Sequence, residues 1–444
     1  MLDVLQNRTY RHLFLAQVIA LIGTGLATVA LGLLAYDLAG AEAGAVLGTA
    51  LAIKMIAYVG VAPVAAAFAE RLPRRTMLFA LDLVRAAVAL VLPFVTEIWQ
   101  VYVLIFVLQS ASAGFTPTFQ ATIPDVLPDE KEYTRALSLS RLAYDLESVV
   151  SPMLAAALLT VISFHSLFAG TVVGFLVSAA LVVSVTLPSP KAAEKRGIYD
   201  RTTRGLRIYL ATPRLRGLLA LNLAVAAAIA MVIVNTVVLV QAQFGLSQRA
   251  TALALAAFGG GSMVAALLLP RLLDDMPDRK AMLAGACVLV AGLFVGFTIP
   301  NYALLLLLWF ALGLGYSLAQ TPSGRLLRRS SQPEDRPALF AAQFALSHAC
   351  WLITYPVAGW LGAKVGLSTT FAALGLLAAV AVFAATRLWP AEDPDEIEHT
   401  HDGLDADHPH LSGATPMGQG HRHSHAFVID SHHPEWPTEA ERPR

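Results

Sequence analysis

Glu70-Arg71-Leu72-Pro73-Arg74-Arg75, with Met77-Leu78 just beyond, closes one long apolar run and precedes another. About 204 residues later the pattern returns as Asp274-Asp275-Met276-Pro277-Asp278-Arg279, with Met282-Leu283 beyond. The echo extends outward. Thr116-Pro117 is followed by Pro128-Asp129-Glu130 and Ala136-Leu137; Thr321-Pro322 is followed by Pro333-Glu334-Asp335 and Ala338-Leu339. The two Thr-Pro pairs stand the same eleven residues before their acidic Pro motifs, and Pro152 matches Pro356. Several matches in one order at one offset read as a six-plus-six duplication. Parallel repeats of this kind occur in transporters that rock two bundles around a central site.

Composition supplies the medium. The chain has 444 residues, 56% hydrophobic and 14% charged, with a mean hydropathy of +0.62. Soluble domains carry about 25% charged residues, so a water-soluble enzyme of this length is excluded. A bilayer-crossing helix needs about 20 mostly apolar residues. Twelve candidates run approximately over 12–37, 44–69, 77–95, 98–117, 136–161, 165–187, 215–243, 248–270, 281–299, 302–321, 338–362 and 366–388. The first is too long for a cleaved signal peptide and lacks a small-residue cleavage site. The expected fold is an all-α integral membrane protein with twelve transmembrane helices in two pseudo-symmetric six-helix bundles. The expected segments are 1–187, a linker loop 188–214, 215–389 and a tail 390–444.

Lys and Arg resist translocation. With a cytoplasmic N-terminus, the inner loops up to Arg336, counting Arg216 at the edge of the seventh span, hold 22 Lys and Arg, against Arg249 and Lys364 in the outer loops. Both termini are therefore expected in the cytoplasm of a multi-pass protein of the cell inner (plasma) membrane. The linker, with Lys191, Lys195, Arg196, Arg201, Arg204 and Arg207, reads either as an amphipathic helix on anionic lipid or as a solvated connection. Cys287 and Cys350 both lie in apolar runs, so no disulfide framework is available. Secreted and nucleic-acid-binding classes are excluded as well.

Residues 1–390 resemble the major facilitator superfamily. The family pattern after the second span is Gly-x-x-x-Asp-Arg-x-Gly-Arg-Arg. This chain has Ala66, Glu70, Arg71, Pro73, Arg74 and Arg75, which keeps the charge type and replaces both glycines. The acid and arginines at this loop can bridge neighbouring helix ends and hold the cytoplasmic side shut, as a gate of Glu70, Arg71, Arg74 and Arg75. Asp82 and Arg85, one turn apart on the third span, can join it. The fourth span reads Gln109-Ser110-Ala111-Ser112-Ala113-Gly114, without the Arg that many family exporters carry there for proton coupling.

An ionisable group near the midplane costs about 2.5–3.5 kcal/mol on insertion scales, so it normally faces a cavity or a partner. Lys54, Asp145, Glu147 and His348 fall near their helix centres. Arg141 and Asp145, four apart, share a face and neutralise one another. Glu147 points elsewhere on the helix, which makes it the candidate proton or cation site, with packing as the competing reading. His348 suits either ligation or proton transfer. Cys350 reads as an apolar filler. Gly259-Gly260-Gly261-Ser262 is followed by no Lys-Ser/Thr, so it reads as close helix packing rather than a phosphate loop.

The zero net charge, 31 basic against 31 acidic, hides two unlike parts. From Ala391 onward the chain has 3 basic and 12 acidic residues and 9 of its 12 histidines. This tail is acidic, rich in Pro and Gly and poor in aliphatics, so alone it is expected to be largely disordered. His399, His401, His408, His410, His421, His423, His425, His432 and His433 fall in clusters among aspartates. Imidazole with carboxylate suits borderline divalent ions such as Ni²⁺, Co²⁺, Zn²⁺ and Cu(II). Phe427-Val428-Ile429 is apolar enough to dock somewhere.

A facilitator body with a His-rich cytoplasmic tail resembles the nickel-resistance (Nre-type) branch of the superfamily. That resemblance implies efflux of nickel, with cobalt or zinc as further cargoes. The reading is a proton antiporter, working as a monomer, with metal as substrate, protons as coupling ion and no resident cofactor. Two alternatives stand beside it. One is an exporter of a drug or siderophore-like compound, with Tyr102, Phe106, Phe115, Trp309 and Tyr316 lining its cavity. The other is a metal-sensing membrane protein that no longer transports.

Overall fold

The computed structural model describes residues 2–39, 43–69, 72–188, 197–394, 396–401, 409–411, 415–417, 420–430, 432–433 and 435–437. The gate candidates Glu70 and Arg71, and the candidate ligand His408, lie outside the described residues.

Six long helices form the first bundle: α1 (Arg8–Ala39), α2 (Ala43–Ala69), α3 (Arg74–Val91), α4 (Ile98–Val126), α5 (Glu130–Leu158) and α6 (Phe164–Val183). A shorter helix, α7 (Ile198–Ala211), links them to α8 (Pro213–Val237), α9 (Gln248–Asp275), α10 (Asp278–Gly296) and α11 (Tyr302–Gln320). The short α12 (Ser323–Arg329) follows, then α13 (Arg336–Lys364) and α14 (Leu367–Leu388). Ten membrane-length helices are long and apolar enough to cross a bilayer. The two exceptions explain themselves. α5 carries Glu130, Lys131, Glu132, Arg135, Arg141, Asp145 and Glu147, and the apolar stretch of α2 is limited to Ala52–Ala67. The chain is a multi-pass membrane protein, with twelve long α-helices and two short ones among the described residues.

The sequence repeat has a structural counterpart. Pro73 and Pro277 both stand in extended backbone as the residue before a helix, and their successors Arg74 and Asp278 are both buried. Proline is pre-set for a helix entry because its missing N–H has no partner to lose there. Asp129 caps α5 by accepting from the Glu132 amide at 2.9 Å, and Asn301 caps α11 through Leu304 at 3.0 Å. Each bundle has its own apolar core, around Phe168 and Phe175 in the first and around Trp309 and Phe371 in the second. Apolar side chains such as Phe94, Met153, Leu307, Trp360 and Phe383 face outward, as a lipid-solvated surface requires.

Gly261 and Gly313 settle the reading of the glycine run. A Cβ on Gly261 would overlap the Phe310 carbonyl, and one on Gly313 the Phe258 carbonyl. The glycines let α9 and α11 cross at backbone distance.

The even number of long helices brings the start of α1, the linker helix α7 and the tail to one end of the molecule, the linker end. There α7 is the amphipathic helix expected of the linker, whose Lys191, Lys195 and Arg196 lie outside the described residues. It packs against α13: Arg204 ion-pairs with Asp335 at 2.5 Å, and Gly205 lies against the Ala338 carbonyl. The tail differs from its expectation. It contains an antiparallel sheet in the order β1-β3-β2, with β1 (Glu396–His401), β2 (Thr415–Met417) and β3 (Gly420–Ala426). Composition judged the tail alone. In the fold Ile397, Phe427 and Ile429 are buried with Leu215 and Leu218 of α8, Met282 of α10 and Leu326 of α12, which supplies the apolar partners it lacks by itself.

Candidate transport pathway and tail metal site

A cavity of about 580 Å³ lies between the bundles. α1, α2 and α5 contribute Gln17, Lys54, Tyr58, Tyr144 and Glu147; α11 and α13 contribute Tyr316, Gln343, His348, Trp351 and Tyr355. Four pathway candidates therefore meet the cavity, Lys54, Arg141, Glu147 and His348, and so does Arg85 from the gate set. Asp145 is buried behind Arg141.

Arg141 and Asp145 pair as their spacing requires, and the pair does more than neutralise itself. Ser262 of α9 donates to Asp145 at 2.6 Å, and Arg141 donates to the Tyr316 hydroxyl of α11 at 2.9 Å while stacking over its ring. The two bundles are thus tied at mid-depth by one charge pair, where low dielectric strengthens each bond. Glu147 points away from this pair. Gly25 makes room for it: a Cβ there would lie 2.5 Å from the Glu147 carboxylate and overlap Ser151. Lys54 is near enough to act electrostatically on both Glu147 and His348. His348 is fixed by the Phe344 carbonyl at 2.7 Å and packs edge-on against Tyr58. Among the described residues, three or more His, Cys, Asp or Glu donors do not converge anywhere in this cavity.

The expected helices α4 and α11 line the cavity through Phe119 and Tyr316, but most of the aromatic lining comes from other helices. Of the five expected aromatics on the fourth and tenth spans, Tyr316 alone lines the cavity. Trp309 is buried in the second bundle and donates to Thr236 at 2.8 Å; Phe115 lies under Arg85; Phe106 faces outward. Each helix lends only one face to the cavity. Tyr58, Tyr144, Phe344, Trp351 and Tyr355 supply the lining from α2, α5 and α13.

The linker end is closed by ion pairs between the bundles. Asp125 of α4 accepts from Arg74 of α3 and from Arg336 of α13. Arg325 of α12 reaches Glu130 and donates to Thr134 at 3.1 Å, both on α5. Arg328 donates to the Pro128 carbonyl. Arg74 thus belongs to a closure, whereas Arg75 donates to the Val183 carbonyl within its own bundle. Asp82 and Arg85 stay separate from it. They pair with each other deep in the first bundle, with Ser178 donating to Asp82 at 2.8 Å and Arg85 set between Phe115 and Phe175. Two helical turns separate Asp82 from Arg74, and that distance carries it away from the bundle end. Asp125, Arg325 and Arg336 are missed by motif reading; the duplicated Pro-acidic motif, which places charge at both matching loops, is the signal that marks their neighbourhood.

The tail brings imidazoles together. The Nε2 atom of His433 lies 2.9 Å from that of His399, 3.2 Å from that of His401 and 3.3 Å from that of His410. His423 Nε2 lies 3.1 Å from His399 Nε2. His399, His410, His423, His425 and His433 form one set with donor atoms within 4.8 Å of each other. β-pairing builds part of this, since His399 faces His423 across the ladder. Second partners orient the rings: His399 Nδ1 meets the Ile397 carbonyl and His433 Nδ1 meets Asp430, each at 2.9 Å. A hydrogen bond at Nδ1 leaves the Nε2 lone pair for a cation. Metal–nitrogen bonds of about 2.0–2.1 Å set tetrahedral ligands about 3.3 Å apart and octahedral neighbours about 2.9 Å apart, which is the observed range. His432 stacks on His410, and His421 pairs with His401 across the ladder; neither belongs to the converging set.

Burial, joined by repulsion between neighbouring imidazolium charges, lowers His399, His401 and His410 to about 4. Burial alone would raise Asp430, but the His433 ring and the amides of His432 and His433 outweigh it and hold it to about 2. At neutral pH His399, His401 and His410 are therefore neutral donors, close to the fixed carboxylate of Asp430.

The sequence profile of the Major Facilitator Superfamily matches residues 13–247 and 218–404, one match for each half. The chain belongs to the Major Facilitator Superfamily. Its relatives include the uncharacterized MFS-type transporter YvqJ of Bacillus subtilis (24% identical, covering 89% of this chain and 96% of that one). YfiS of the same organism, also uncharacterized, is 23% identical over 71% of this chain and 78% of its own length. Macrolide efflux protein A of Enterococcus faecalis is 26% identical over 32% of this chain and 47% of its own. Two solved structures share the fold. The human organic anion transporter MFSD10 (TETRAN) superposes with a TM-score of 0.75 at 13% identity, covering 85% of this chain and 99% of that one. A bacterial homologue of the iron transporter ferroportin, in an outward-facing state, gives 0.71 at 14%, covering 86% and 99%. The protein is a membrane transporter and not an enzyme.

Proposed function

We propose that this facilitator is an efflux permease for a divalent transition metal, nickel foremost and cobalt or zinc next, in the inner (plasma) membrane with both termini in the cytoplasm. The observation that carries the reading is the set of imidazole nitrogens gathered by the tail at the linker end. In this reading the linker end is cytoplasmic, the tail meets metal there, and the arrangement described is closed on that side. Glu147 and His348, on opposite walls of the cavity, then exchange metal for protons as the bundles rock. Glu147 is the coupling carboxylate because Asp145 is already committed to Arg141 and Ser262. The test is metal tolerance and metal content of cells carrying the full chain, the chain without 391–444, and Glu147→Gln. The full chain should raise tolerance, the truncation should reduce it, and Glu147→Gln should abolish it. Unchanged tolerance to nickel, cobalt and zinc on loss of the transporter sinks the reading.

The cavity favours a second reading, an organic cargo. Tyr58, Tyr144, Tyr316, Phe344, Trp351 and Tyr355 present aromatic faces beside Lys54 and Glu147, a lining suited to an amphipathic molecule. The family includes a relative named for macrolide efflux. This reading expects accumulation of a dye or drug in cells lacking the transporter, restored equally by full-length and tail-less chains.

A further inference from the structure

We propose that the imidazole cluster is a regulatory site for a divalent transition metal, separate from the cargo route, and that its occupancy latches the tail onto the linker end and favours closure there. The inference shares the tail site with the proposed function but does not depend on the cargo.

Two groups of contacts carry it. The first clamps the cluster to the body from both sides in sequence. Before β1, Asp393 accepts from the Trp389 indole at 3.1 Å and ion-pairs with buried Arg214 of α8 at 3.6 Å. After His433, Trp436 lies over the same Arg214 guanidinium at 4.9 Å and edge-on to Phe427 at 5.1 Å. An ion held by His399 on one side and His433 on the other therefore cross-links the two arms that grip Arg214. The second group leads to the closure between bundles. The Asp393 carbonyl accepts from Arg329 of α12 at 3.4 Å, and Arg329 lies 4.0 Å from Asp278. Asp278 also pairs with Arg325 at 3.1 Å, and Arg325 is the α12 side chain that reaches Glu130 and Thr134 in the first bundle.

The physical argument is one of linkage. A ligand shifts a conformational equilibrium only by the difference in its affinity for the two states. The cluster is assembled here with the tail docked and α12 engaged across the bundles. Cross-linking the two arms removes conformational freedom that the tail must otherwise lose on docking. The docked tail then holds α12 where Arg325 meets Glu130. Arg329 and Asp393 act as positioning residues. At low free metal the tail is loose; abundant metal biases the transporter towards the closed linker end.

The test uses the full chain in proteoliposomes. Spin labels replace Lys131 and Asp274, an exposed pair that faces across the bundles at 3.9 Å, in a background with Cys287→Ala and Cys350→Ala. Distance distributions are recorded with and without Ni²⁺, and Ni²⁺ binding is measured on the same samples. Addition of Ni²⁺ should raise the ratio of short to long distances by about threefold or more. The pair Asp393→Ala with Trp436→Ala should bind Ni²⁺ with unchanged stoichiometry and lose the shift. His399→Ala with His433→Ala should lose both. Binding at the cluster without any distance change overturns the latch and leaves the metal site standing. A shift that survives His399→Ala with His433→Ala also overturns it, since the ion then acts elsewhere. Metal tolerance of cells is a separate readout, and its failure bears on the cargo alone.

Discussion

The central cavity and the tail cluster are two binding environments in one chain, and they are built on opposite plans. The cavity spreads its ionisable groups out: Glu147 and His348 face a broad aromatic wall, with Lys54 acting on both. The tail does the reverse, packing imidazole nitrogens about one coordination edge apart and fixing their rings from behind. A transport site must release its cargo each cycle, so sparse donors and a counter-charge serve it. A site that retains an ion needs converging donors with oriented second partners. The contrast sets a sparse group of ionisable side chains in the cavity against a converging one in the tail, and the proposed function gives cargo to the first and retained metal to the second.

The division can be broken most sharply at Glu147. Glu147→Gln should reduce coupled flux to background in proteoliposomes while Ni²⁺ binding by the full chain, followed by calorimetry, stays the same. Loss of both would mean that the two regions form one site. The reciprocal change, His399→Ala with His433→Ala, should weaken Ni²⁺ binding by at least about 100-fold, an effect in line with removing ligands whose second partners alone are worth 10–100-fold. Flux measured at saturating cargo should survive it.

A smaller effect is expected where the two regions communicate through the linker end. Asp125 is nearly buried between Arg74 and Arg336. Breaking such a pair leaves uncompensated charge, at a cost of about 3–5 kcal/mol when burial is complete. Asp125→Asn should therefore shift the spin-label distances towards an open linker end by about tenfold or more, with the tail's affinity for Ni²⁺ falling by about the threefold that the latch couples. The mildest test is pH. His399, His401 and His410 titrate in the fold at about 4, below the ordinary value of 6.5. The unfolded tail therefore binds more protons between these values, so order in the sheet is full above about pH 6.5 and is lost as pH falls towards 4. Fluorescence of Trp436 stacked on Arg214, read against a Trp436→Phe control, should follow that window without metal. A profile flat from pH 7 to 4 would contradict the burial of these rings.

The periodic apolar runs, the basic inner loops and the repeat at about 204 residues made the two-bundle architecture legible, and Gly261 could be read as a packing glycine before its neighbours were known. The Arg141–Asp145 pair was legible too, because helical spacing alone decides it. Other residues were not. Asp82 was expected at the gate and instead pairs with Arg85 inside the first bundle, while Asp125 and Arg336, 211 residues apart, form the closure. Phe106 and Trp309 were expected in the cavity, and one faces outward while the other fills a core. Axial distance sets the first outcome and tertiary packing the second; for the two aromatics it is helix rotation, which a uniformly apolar helix leaves unmarked in its sequence.

The tail divides in the same way. Its residue types alone point to chemistry suited to a borderline divalent ion, because imidazole chemistry does not depend on where the chain runs. Which nitrogens converge, and that Asp393 and Trp436 tie them to Arg214 and α12, only the tertiary structure decided. The reason is cooperative burial. An acidic segment of low aliphatic content reads as disordered when taken alone, and Ile397, Phe427 and Ile429 become a core only against apolar surface supplied by helices far away in sequence.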